Sequence, residues 1–207
     1  MRPVAFFCCL LTTASLLAGN PSPDPQPVTV LMEFTGVRSA TSLNALKSEL
    51  QTILSDSHLQ LDLQLKSNLS GAVSGDLLLF KMKGHCTMSA LPIGALSDER
   101  GPLAMTHSAN GELLPFGEVE CDRVRTALQR TVGRGNPEAH QTEYGIALAR
   151  VMAHEIYHML AKSPAHTKEG LTKEALSSRE LSRGTLRLAP AAQSAVQDHS
   201  AQVSSFR

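Results

Sequence analysis

The stretch EYGIALARVMAHEIYHMLAKSPAHTKEGL, which begins at Glu143, carries three histidines and a glutamate at spacings suited to metal chemistry. His154-Glu155-Ile156-Tyr157-His158 places two imidazoles four residues apart. On a helix such residues lie one above the other, so both rings can aim at one point. Two of the ligands of a tetrahedral zinc ion fit that arrangement, and Glu155 is set to act as general base on a water at the metal. Shuffling this composition would place H-E-x-x-H somewhere in about 2% of chains, so context has to strengthen the motif.

Context does so in two ways. Ile146, Leu148, Ala149, Val151, Met152, Ile156, Met159 and Leu160 make the segment apolar round most of its circumference, which predicts a buried helix. Two histidines and a glutamate buried there would be costly without a partner. A catalytic zinc also needs a third protein ligand and one open position. His166 is the leading candidate, because Ala161-Lys162-Ser163-Pro164 can end the helix and reverse the chain, Pro164 being unable to continue it. The rivals are carboxylates of the following segment: Glu169, Glu174 or Glu180. Tyr157 points away from the histidine pair on an ideal helix. Tyr144 is an oxyanion donor only if the fold brings it to the metal, and His85, His107 and His140 are isolated.

With its downstream histidine, HEIYH resembles the site of zinc metallopeptidases of the zincin group, and more narrowly the metzincin-like branch. The wider pattern is similar to small secreted bacterial proteins of the predicted zinc-protease kind, through ALARVMAHEIYHMLA, HTKEGLTKEAL and LLPFGEVECDRVR, over about residues 28–188. This resemblance implies a zincin-like fold and hydrolysis of peptide bonds, with zinc at His154 and His158 and the base at Glu155. The chain departs from the metzincin pattern HExxHxxGxxH: Ala161 stands where Gly is required and Pro164 where the third His is required, and no Met follows Met159. A longer turn must therefore separate the second and third ligands.

The elements that must position these residues occupy only part of the 207-residue chain. Arg2, an apolar run from Val4 to Ala18 and Gly19-Asn20 predict a secretory signal peptide over residues 1–20, short for a spanning helix, with an uncleaved anchor as the rival. Pro21, Pro23, Pro25 and Pro27 form a Pro-rich leader over 21–27. Residues 189–207 are rich in Ala, Ser and Gln without an apolar period and are expected to be a disordered tail. The folded domain is then 28–188. Without residues 1–20 two of the four cysteines remain, Cys86 and Cys121; an oxidising compartment invites a disulfide between them, two buried free thiols being the alternative. Such a bridge is worth about 3–4 kcal/mol in the chain-entropy model.

Strands are predicted at Val28–Phe34, His58–Leu65 and Asp76–Lys83, and a hairpin at 102–120 about Asn110-Gly111. Amphipathic helices are predicted at Ser42–Leu54 and Asp122–Val132, and a long loop at 87–101. The order points to an α+β domain with a mixed or antiparallel sheet packed on helices. Arg123, Arg125, Arg130 and Arg134 read as a solvated helix face, and Asn68-Leu69-Ser70 matches a glycosylation sequon. With 19 basic and 19 acidic residues and 4% aromatics, nucleic acid is not an expected partner. The functional expectation is a secreted or periplasmic zinc peptidase acting on peptides or proteins, with no membrane association beyond the signal. The alternative is a non-catalytic extracytoplasmic binding or structural domain with a zinc site.

Overall fold

A computed structural model describes residues 27–57, 59–69, 71, 73, 75–88, 101–129 and 136–205. The signal peptide, the Pro-rich leader up to residue 26, most of the 87–101 loop, Ser70 of the sequon, Arg130 and Arg134 lie outside the described residues.

The domain is α+β, built on a five-stranded mixed sheet of order β2-β1-β3-β5-β4. Strand β1 (Val28–Phe34) is followed by helix α1 (Ala40–Ser55), β2 (Leu61–Leu65) and β3 (Leu77–Lys83). The hairpin β4 (Ala104–Ala109) and β5 (Glu112–Glu120) leads into α2 (Cys121–Gln129). The motif helix α3 (Pro137–Ala161), the short α4 (Ser178–Ser182) and α5 (Pro190–Ser205) complete the order. Pairing is parallel from β2 through β1 and β3 to β5, while β4 runs antiparallel to β5 at the sheet edge. The turn residues Asn110 and Gly111 both have positive φ, 53° and 83°, the backbone that an Asn-Gly hairpin favours.

Alternation on the strands sends Val28, Val30 and Met32 of β1 and Leu78, Phe80 and Met82 of β3 into one core with α1 and α3. The two helices approach closely at Gly145, where an added Cβ would lie 2.2 Å from the Ser42 carbonyl oxygen and 2.7 Å from the Ala45 Cβ. Asn136 caps α3, its side chain accepting from Glu138 N–H at 2.9 Å, and Pro137 takes the first helical position.

Cys86 and Cys121 are joined by a disulfide, with 4.9 Å between their Cα atoms. Tyr144 Oη donates to the Cys121 carbonyl at 2.8 Å. Beside the bridge, Arg125 is completely buried, donating to the carbonyls of His85 and Thr87 and paired with Asp122. The expected solvated basic face is corrected here: Arg125 is an interior clamp, and Arg123 donates to the Pro102 carbonyl.

The expectation of a disordered tail over 189–207 is also corrected, because α5 packs on α3 with Ala192 and Val196 buried. Those two residues are four apart, and with Ala195 they form a stripe of small apolar side chains on a helix-favouring background of Ala and Gln. Among the described residues, no helix is long and apolar enough to cross a membrane.

Candidate metal centre

His154, Glu155 and His158 stand on the buried second half of α3, which ends at Ala161. Lys162 then takes the left-handed conformation, with φ 49° and ψ 34°. This is the reversal a glycine usually makes at a helix end, displaced one residue from the position at which the metzincin pattern has its Gly. Ser163 Oγ accepts from Ala165 N–H at 3.2 Å and steadies the turn through Pro164. His166 follows, and the chain is tied down directly after it. Thr167 N–H donates to the Thr172 carbonyl at 3.0 Å, and Thr167 Oγ1 donates to the Glu169 carbonyl at 2.6 Å.

The outcome is that His154, His158 and His166 bring one ring nitrogen each to within 4.8 Å of one another, a group that can hold a metal ion. The Nε2 atoms of His154 and His158 are 3.0 Å apart. His154 Nδ1 lies 3.0 Å from the Leu171 carbonyl oxygen, and His158 Nδ1 lies 2.6 Å from that of Ser163. A carbonyl oxygen only accepts, so each Nδ1 is the donor and each Nε2 is the atom left for a metal. Burial holds His154 below the usual histidine pKa, although the Leu171 carbonyl works against the shift, and keeps the ring in its neutral, ligating form. With both rings neutral, two Nε2 lone pairs at that distance repel, and a metal ion or a shared proton between them removes the repulsion. Zinc–nitrogen bonds of about 2.0–2.1 Å at a tetrahedral angle put two imidazole nitrogens about 3.3 Å apart, close to the spacing of the His154–His158 pair. The paired Nδ1–carbonyl bonds are the outer contacts that orient metal-binding histidines.

The carboxylates considered as rivals do not join this group. Glu180 is engaged with Lys173 and with the Ser177 side chain and backbone, closing a capping box on α4, and these contacts pull its pKa down to about 2. Glu169 is exposed, and Glu174 lines the adjoining cavity without entering the group.

That cavity has a volume of about 540 Å³ and runs between the β4 edge, α3 and the segment after it. His154, Glu155, His158 and His166 line it, with Val151, Leu176 and Leu181 supplying an apolar wall. Glu155 is 7% exposed, and its Oε2 accepts from Thr106 Oγ1 at 2.7 Å. Tyr144 is not a site residue: it is fully buried, burial raises its phenol pKa, and its hydroxyl is spent on Cys121. Tyr157 is buried with its ring 5.1 Å from that of His158. His85 and His107 sit elsewhere, near Asp122 and stacked on Phe116 respectively, and His140 is outside the cluster.

No protein-family model matches the sequence, and no curated protein does.

Two contributors escape sequence reasoning. Thr106 is 49 residues from Glu155, so only the fold brings them together. Arg150 lies one turn before His154 and donates to Glu49 and to the carbonyls of Glu180, Arg183 and Gly184. A buried arginine four residues before the motif was the one available signal, since a charge inside an apolar helix requires partners.

Proposed function

We propose that the chain is a secreted zinc-dependent peptidase of the zincin kind. The observation that carries this reading is the convergence of three imidazoles at the wall of a cavity that also holds Glu155. His154, His158 and His166 would hold zinc, which when bound supplies a Lewis acid for the peptide carbonyl and lowers the pKa of a water. The Glu155 carboxylate takes a proton from the attacking water and delivers it to the departing amine. Strand β4 is the edge of the sheet, and its Ala104 and Thr106 border the cavity. An extended peptide that pairs with β4 as a further strand is thereby led past Glu155. The disulfide suits an extracytoplasmic setting.

The test is zinc content together with hydrolysis of fluorescently labelled casein. The purified protein is expected to hold one zinc per chain. Glu155→Gln is expected to keep that zinc while hydrolysis falls about 10²–10⁴-fold, the usual contribution of a general base. Equal hydrolysis by both forms, or none by either with zinc bound, would leave a non-catalytic zinc site as the better description.

A further inference from the structure

On β4 the side chains alternate: Ala104 is buried in the core and Met105 is 45% exposed, so Thr106 turns back toward α3. The β4–β5 register is interrupted between Thr106 and Ser108, which ends regular pairing just past Thr106. Such breaks occur next to active sites, where they aim a side chain. Thr106 pairs with Gly117 of β5. A Cβ on Gly117 would lie 2.7 Å from Met159 Cε and 3.1 Å from the Met105 carbonyl oxygen, so this glycine lets the sheet edge settle onto α3. Met159 is one helical turn beyond Glu155, and the same close approach brings Thr106 Oγ1 within 2.7 Å of Glu155 Oε2. The Glu155 carbonyl oxygen is farther from that hydroxyl, at 3.4 Å. A hydroxyl has one proton, and the nearer oxygen, on the side chain, takes it.

From this geometry we infer that Thr106 is a positioning residue for Glu155, an inference that rests on the peptidase reading above. A glutamate on a helix has three rotatable bonds, and a carboxylate left unheld samples several orientations. Thr106 is β-branched and stiff about χ1, so its hydroxyl is a fixed donor on a strand. It occupies Oε2 and leaves Oε1 for the water. The proton removed from water then resides on Oε1, and from there it passes to the leaving nitrogen. Throughout the cycle Thr106 keeps its own proton and its bond to Oε2. The residue thus couples the strand that would seat the substrate to the group that would attack it.

Two variants of the zinc-loaded full chain test the inference. Thr106→Val removes the hydroxyl at nearly constant shape, and Thr106→Ser keeps it. Expected for Thr106→Val is a kcat about 10-fold lower on a labelled peptide, the scale of a hydrogen bond to a charged group, with KM and zinc content unchanged. Thr106→Ser should recover most of that loss. A readout independent of turnover is the affinity for acetohydroxamate, a chelator that also hydrogen-bonds to a carboxylate beside the metal. Thr106→Val should weaken it several-fold in the wild-type background and not at all in Glu155→Gln. Wild-type kcat and acetohydroxamate affinity in Thr106→Val, or an undiminished effect in the Glu155→Gln background, would overturn this inference alone. A zinc-loaded wild-type protein that hydrolyses nothing would overturn the peptidase reading and this inference with it.

Discussion

From Tyr144 to Leu160 every residue of α3 except Ile146 and His154 is buried, whereas between Ser163 and Gly184 only Leu171, Thr172, Leu181 and Ser182 are. The helix is held by apolar packing on its neighbours. The segment after it contains one short helix and is held by polar bonds, several of them from a single stripe of α3. Arg150, His154 and His158, each four residues from the next, bind carbonyls of Gly184, Arg183 and Glu180, of Leu171, and of Ser163 respectively. The helix therefore supplies two histidines of the candidate metal group and also the scaffold on which the third is suspended. Fold and candidate metal group share side chains on α3 and separate only in the trailing segment.

Breaking that stripe at its base should have the largest effect. Arg150→Met removes a buried charge from Glu49 and three carbonyls, and is expected to cost about 3–5 kcal/mol in denaturant unfolding even in the metal-free protein. His166→Ala tests the opposite side of the comparison. His166 is exposed, so the metal-free unfolding midpoint should stay within about 0.5 kcal/mol of wild type. Zinc affinity in a competition titration should nevertheless fall by about 100-fold or more, beyond the usual loss from an outer-shell partner. An equal loss of fold stability in both variants would erase the distinction between the two regions.

Finer changes sharpen it. Lys162 is a non-glycine residue in the left-handed region at the junction between helix and trailing segment. Lys162→Gly relieves that conformation and should raise stability by about 0.5–1 kcal/mol, read as a higher melting temperature. The smallest effect belongs to Glu180, whose carboxyl pKa, held down chiefly by Lys173, lies well below the ordinary glutamate value of 4.5. Its contribution is present above that value and is lost as pH falls through about 2. The pair is largely solvated, so Glu180→Gln should cost about 0.5 kcal/mol at neutral pH. It should also flatten the acid limb of the stability curve.

What was legible in the sequence follows the range of the forces involved. Strand β1 has the predicted bounds, because a run of β-branched and apolar residues is a local signal. The Asn110-Gly111 turn was readable for the same reason, as a two-residue backbone demand, whereas the Cys86–Cys121 bridge was readable only through the expectation of a signal peptide, which left two cysteines to pair. Helix α3 is longer than its apolar run suggested, since it starts at Pro137, capped by Asn136. Helix α5 was missed because its apolar stripe is made of Ala and Val, too small to register as a period. Arg125 was misplaced because a helix of alternating arginines looks solvated until the loop at His85 and Thr87 closes over one of them. For the site, the helix spacing of His154 and His158 was visible. The left-handed turn at Lys162 and the Thr106–Glu155 bond depend on contacts that no local pattern encodes.

The bridge between Cys86 and Cys121 has a further consequence for the integrity of the molecule. It closes a covalent ring spanning a sequence separation of 35, and the whole β4–β5 hairpin, with Thr106 in it, lies inside that ring. A protease that cut once anywhere between the two cysteines would divide the polypeptide without releasing either piece. Such a nicked protein would run as one band without reductant and as two with it, and would keep the wall of its cavity attached to the helix it faces.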